Sequence, residues 1–152
     1  MAHTIDLPGN RVYNNNQYSD GIRAIAGESG CSIACLLNVA NIFGPIPVSL
    51  QEVYAVCGWN SGGVVTWAIP SSCSGHIDAS EYYSTHSESE IRTVIRQQVD
   101  SNNPVIVKLT NSQGETHFVT VYGYEAPGTV DSQILTLDPA GAKLRTLAEA
   151  KA

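Results

Sequence analysis

Charge is scarce in this sequence: Asp, Glu, Lys and Arg together make up 14% of its 152 residues. Basic residues are the scarcer kind, eight Lys plus Arg against fourteen Asp plus Glu, for a formal net charge of −6. A nucleic-acid partner requires a basic footprint that neutralises phosphates, and no window here gathers more than scattered basic residues. DNA, RNA and anionic membrane are therefore not expected as partners. No run approaches the roughly 18 apolar residues that cross a bilayer, and the polar N-terminal stretch has no basic segment leading into an apolar one. The expectation is a soluble chain without membrane insertion or a classical export signal, with cytoplasm and secretion both open. The four cysteines, Cys31, Cys35, Cys57 and Cys73, form no Cys-x-x-Cys pair, and the histidines near them lack zinc-finger spacing. No structural metal is expected. Internal repeats are lacking, and the only low-complexity patch is Asn14-Asn15-Asn16-Gln17.

Hydrophobic residues, by contrast, reach 43%. That is enough for a core without disulfides or metal to replace one, and the length suits a single domain over 1–152. Residues 1–28 read as irregular, because Pro8, Gly9, Gly21 and Gly27 interrupt any long period. Ser29-Gly30-Cys31-Ser32 then offers N-cap chemistry before a dense apolar run from Ile33 to Phe43, a helix buried on most sides and stopped by Gly44-Pro45. Ser49-Leu50-Gln51-Glu52 has the form of a capping box and predicts a short helix ending at Gly58. Val64–Ile69 is apolar but of ambiguous type. Ser87-Glu88-Ser89-Glu90 repeats the box form, and Ile91, Val94, Ile95 and Val99 follow at helical spacing up to Asn102-Asn103-Pro104. After that the period becomes that of strands: Val105–Leu109, His117–Tyr124 and Ile134–Leu137. The fold class is α+β, with helices in one layer and an antiparallel sheet in the other.

Three residues carry the chemical interest. A nucleophilic cysteine needs a device that favours thiolate, and a helix N-terminus supplies one through its unpaired amides and dipole. Cys31 sits at such a point. Cys35, one turn further in and flanked by Ala34 and Leu36, is the buried thiol of the pair. A base is also required, and His117 at the start of a strand can present its imidazole there. If Tyr124 pairs with Gln133 across the 125–132 connection, Asp138 falls opposite Val119, on the face that also carries His117. Asp138 then fixes the imidazole tautomer. His3, His76 and His86 read as solvated.

The ordered set resembles a known family. Ser29-Gly30-Cys31-Ser32-Ile33-Ala34-Cys35-Leu36-Leu37, Pro104-Val105-Ile106-Val107, Thr116-His117-Phe118-Val119-Thr120-Val121-Tyr122-Gly123-Tyr124 and Leu137-Asp138-Pro139 together look like the papain-like cysteine peptidases of the bacteriocin-leader-processing (double-glycine) type. The likeness runs from about Gln17 to Asp138. It implies the papain-like fold, a helical N-terminal half packed on a C-terminal antiparallel sheet. By the same resemblance Cys31 is the nucleophile, His117 the general base and later acid, and Asp138 its orienter. The family's oxyanion donor is a Gln upstream of the nucleophile, which implies Gln17, with Asn14, Asn15 and Asn16 as alternatives. Fourteen residues separate Gln17 from Cys31, longer than the commonest spacing, and Ser32 stands where many relatives have Gly or Ala.

The implied chemistry is acyl transfer through a thioester, with a peptide or protein substrate and no metal or organic cofactor. The same triad serves deamidases, cross-peptide amidases and transglutaminases, including secreted toxins or effectors, and a catalytically silent peptide-binding module is the competing class. Trp59, Trp67, Tyr82 and Tyr83 are either groove-lining or core aromatics. Gly62-Gly63 and Ser71–Ser74 are candidate loops over the cleft. Cys57 and Cys73 are either bridged or two buried thiols.

Overall fold

A switch of backbone period from helical to extended near residue 104 organises the chain, described here by a computed structural model over residues 2–7, 15–44, 47–60, 63–77, 87–111 and 113–151. In order the elements are β1 (Ala2–Thr4), α1 (Asp20–Ala26), α2 (Cys31–Phe43), α3 (Leu50–Cys57), α4 (Glu88–Asp100), β2 (Val105–Thr110), β3 (Thr116–Glu125), a 3-10 turn (Asp131–Gln133), β4 (Ile134–Asp138), β5 (Lys143–Thr146) and α5 (Leu147–Lys151). The architecture is α+β, as expected, with helices dominating the first half and an antiparallel sheet the second.

The predicted helices form for the predicted reasons. Every residue of α2 from Cys31 to Ile42 is buried, so its apolar density is spent on all sides. Ser49 closes a full capping box with Glu52, and Gly58 ends α3 at φ 62°. Ser87 caps α4 by accepting from the Glu90 N–H, and Ile95 and Val99 are the buried positions of its apolar stripe. Val64–Ile69 forms neither helix nor strand; the Val65 and Thr66 N–H groups instead donate to the Cys57 carbonyl.

The expectation that 1–28 is irregular is corrected. β1 pairs with β3 through Ala2↔Glu125, His3↔Tyr124 and Thr4↔Gly123, and α1 occupies seven residues with Ile22 as its buried anchor. A three-residue strand whose partner lies 120 positions away leaves no local period to read. Gly123 is what admits it: a Cβ there would stand 2.7 Å from the His3 carbonyl oxygen. His3 is exposed, as expected, although its ring stacks on Tyr124 at 4.8 Å and its Nδ1 lies 4.0 Å from Asp100 Oδ1. His76 is exposed. Residues 78–86, including Tyr82, Tyr83 and His86, lie outside the described residues, as do Asn14 and Gly62.

β3 is the centre of the sheet. β2 and β1 lie end to end along one edge, and β4 followed by β5 along the other, all antiparallel. Tyr124 pairs with Ile134 rather than with Gln133 as expected. A bulge at Tyr122 then takes up one residue, so Thr120 faces Leu137. The pairing ends there, in the register that would set Asp138 opposite Val119.

Alternation sends Val119 and Val121 into a core with Ile95 and Val99 of α4. It sends the register pair Ile106 and Thr120 toward α2, where Ile106 joins the cluster around Ile33 and Leu36 and Thr120 is buried near Cys35. Both α2 and α4 thus pack on the sheet, and Ile42 of α2 joins the α4 cluster as well. Each fully buried Ile or Leu of these clusters contributes on the order of 1.5–3 kcal/mol.

Candidate active site

The start of α2 is built by close packing. Gly30 caps the helix without a side chain, and a Cβ on it would lie 2.3 Å from Ile22 Cγ2 and 3.3 Å from the Gln17 carbonyl oxygen. Only glycine lets α1 and the Gln17 segment come this near. Cys31 is thus the first helical residue, its N–H among the first-turn donors that have no partner within the helix. The residue retains 8% exposure, at a cleft of about 980 Å³ that Gln17, Trp59, Gly63 and His117 also line.

His117 reaches this place from the second residue of β3. Its Nε2–H donates to Asp138 Oδ1 at 2.7 Å, so the imidazole keeps Nδ1 for other partners. The hydrogen bond to Asp138, joined by one to Cys31, pushes the His117 pKa up to about 9 against the opposing effect of burial. Asp138 is buried, which works against its charge. The hydrogen bonds from His117 and the Ala140 N–H, with the nearby charges of His117 and Arg145, nevertheless hold its carboxyl below the ordinary range. The sequence-predicted trio is thus brought to one place: His117 is bonded to Asp138, and Cys31 lies close enough to the imidazole to bear on its pKa.

Gln17 is buried beside them. Its backbone N–H donates to the Pro139 carbonyl (2.9 Å) and its Nε2 to the Glu28 carbonyl (3.0 Å), which leaves one Nε2 hydrogen uncommitted. The other candidates are turned to different work. Asn15 donates through both N–H and Nδ2 to Asn38 Oδ1, and Asn16 accepts from the Tyr18 N–H. Neither lines the cleft.

The remaining predicted residues fall on both sides of their alternatives. Cys35 is fully buried, and burial pushes its thiol well up. Trp59 lines the cleft, whereas Trp67 packs against Phe118 with ring centroids 5.1 Å apart. Ser71–Ser74 is corrected: Cys73 Sγ approaches the Ala40 carbonyl and Ser74 bonds Phe43, at the opposite end of α2 from Cys31. Cys57 and Cys73 are free buried thiols.

Sequence reasoning missed the other wall of the cleft. Asp131 bonds Arg92 at 2.9 Å and Lys151 at 2.7 Å, and Glu88 approaches both cations, so the 3-10 turn, α4 and α5 are clamped by one ionic network. It missed Arg145 too, whose Nε lies 3.3 Å from Asp138 Oδ2. Only the β4–β5 register would have pointed to it, and β5 itself was not foreseen. Among the described residues no group of three or more His, Cys, Asp or Glu side chains is arranged to hold a metal ion. No helix among them is long and apolar enough to cross a membrane.

No curated protein and no solved structure matches the chain. The family model of the Peptidase_C39 like family matches residues 10–151. Helices in the N-terminal half and an antiparallel sheet in the C-terminal half are the papain-like arrangement of that family. The chain therefore belongs to the Peptidase_C39 like family.

Proposed function

We propose that the protein is a cysteine peptidase, or a closely related thiol-dependent amide hydrolase, working through Cys31, His117 and Asp138. The single observation that carries this reading is that Cys31, at the start of α2, and His117, bonded to Asp138 at 2.7 Å, line the same cleft.

In this mechanism His117 Nδ1 takes the Cys31 proton, and the sulfur attacks the carbonyl carbon of a bound amide, forming the S–C bond. The negative charge that develops on the carbonyl oxygen is met by the Cys31 N–H and the uncommitted Nε2 hydrogen of Gln17. Protonation of the leaving nitrogen by His117 then breaks the C–N bond and leaves a thioester. A water gives its proton to Nδ1 and attacks the thioester carbon. The acid departs, and Cys31 recovers its proton. Asp138 stays ionised throughout, holding Nε2–H as the donor so that Nδ1 alone exchanges protons.

The test is a peptide library incubated with the wild type and with Cys31→Ala, read by mass spectrometry. New amine and carboxyl termini with the wild type alone support a peptidase. Ammonia release without chain cleavage moves the reading to a deamidase, and isopeptide formation to a transglutaminase. Equal binding by both proteins with no turnover by either overturns the enzymatic reading in favour of a peptide-binding module.

A further inference from the structure

Each oxygen of Asp138 has a basic side chain beside it, and the two come from opposite sides of its strand. On β3, His117 is the diagonal neighbour of Asp138, reached through the Val119 position, and takes Oδ1. On β5, Asp138 pairs with Lys143 and Thr136 pairs with Arg145, which makes Arg145 the diagonal neighbour on that side. Its Nε is buried and stands 3.3 Å from Oδ2, an ion pair without hydrogen-bond geometry. The carboxylate side chain is 4% exposed between an imidazole at 26% and a guanidinium at 30%, so the anion is enclosed while both cations keep an opening to water. The Arg145 carbonyl accepts from Thr136 Oγ1 at 2.8 Å, which fixes the backbone from which the guanidinium reaches.

We infer that Arg145 is a positioning residue for this site: its charge beside Oδ2 keeps Asp138 ionised, so that Oδ1 stays an acceptor for His117 Nε2–H. The inference rests on the triad reading above. A buried carboxylate with a single cationic partner takes up a proton more readily, and its neutral form holds the imidazole less firmly. The groups that face Asp138 are His117 from β3, Arg145 and the opposite Lys143 from β5, Cys35 from α2, and the Ala140 N–H of its own turn. Glu149 of α5 stands close enough to Arg145 to share its field. Among these, Arg145 is the cation placed on Oδ2.

The experiment measures iodoacetamide alkylation of Cys31 across pH 4 to 9, site by site by mass spectrometry, in wild type, Arg145→Gln and Arg145→Lys. Arg145→Gln is expected to move the acid limb up by about half a pH unit, so that the rate at a pH on that limb falls about threefold relative to its plateau. Arg145→Lys is expected to restore most of the loss. A role confined to holding β5 in the sheet lowers the melting temperature but leaves the limb in place, and that result overturns the inference. Should Arg145→Gln not fold, Arg145→Met keeps the packing of the stem and is read in the same way. Failure of the triad reading looks different: wild-type Cys31 is then no more reactive than the other three thiols.

Discussion

The backbone N–H of Gln17 donates to the carbonyl oxygen of Pro139 over 2.9 Å, joining the segment before α1 to the residue that follows Asp138. Two pieces of chain more than a hundred residues apart thereby share one frame at the cleft. The Gln17 amide is further fixed by its bond to the Glu28 carbonyl, so its free hydrogen has a set direction.

Gln17→Ala separates two kinds of chemistry at Cys31. Alkylation by iodoacetamide passes through no oxyanion, whereas amide hydrolysis does. The variant is expected to keep the wild-type alkylation rate while kcat on a peptide substrate falls by on the order of 10²–10³-fold. Parallel stopped alkylation and turnover assays check it; equal losses in both would mean that Gln17 shapes the fold around Cys31 and does not stabilise the transition state.

Asp138→Asn removes the charge from the centre of the His117–Asp138–Arg145 line. His117 loses the partner that raises its pKa, and the amide can offer the ring an N–H where a carboxylate accepted one. A fall in kcat/KM of about 10²–10⁴-fold is expected. NMR titration of the imidazole should show its pKa moving down toward the ordinary value, and an unmoved titration contradicts the assigned role.

Gly30→Ala tests the packing that sets the start of α2. The added Cβ meets Ile22 Cγ2 at 2.3 Å, and relief requires α1 to shift away from Cys31. A stability loss of about 1–3 kcal/mol is expected, measured by urea denaturation. Cys31 alkylation should slow in the folded variant as well.

The raised His117 pKa makes a signed prediction about stability. The folded state binds this proton more tightly than the unfolded chain, so the contribution is complete below about pH 6.5 and is lost as pH rises through about 9. Asp138 acts in the other direction, contributing above its ordinary pKa and losing that contribution in acid. Urea midpoints should therefore decline between pH 7 and pH 9.5 in the wild type. His117→Phe should flatten that decline.

Local signals made much of this molecule legible. Ser49 with Glu52 and Ser87 with Glu90 mark helix starts through bonds that span three residues, and those starts are found where the sequence puts them. The apolar density from Ile33 to Ile42 likewise announces a helix with no exposed side. The order of Cys31, His117 and Asp138 was readable too, because strand alternation ties Asp138 to the His117 face. That tie survived a wrong hairpin pairing: Tyr124 meets Ile134, and the bulge at Tyr122 restores the register before Asp138. A one-residue bulge leaves no mark in the hydrophobic pattern.

What stayed hidden depends on distant partners. β1 exists because Gly123 opens space beside it, and β5 because β4 offers it an edge. Both strands are short, and neither has a buried row of its own. Arg145 and the Arg92–Asp131–Lys151 cluster share that origin, since ion pairs between elements carry no sequence spacing. Loops told least: Ser71–Ser74 has a flexible composition, but Cys73 anchors it near the far end of α2.

Competitive thiol labelling tests the central claim most directly. Under native conditions near neutral pH, iodoacetamide or a peptidyl epoxide should modify Cys31 at least about tenfold faster than Cys35, Cys57 or Cys73, whose thiols are all pushed up by burial. His117→Ala should remove most of that advantage. Equal rates at the four cysteines, or a Cys31 rate indifferent to the loss of His117, would contradict the account.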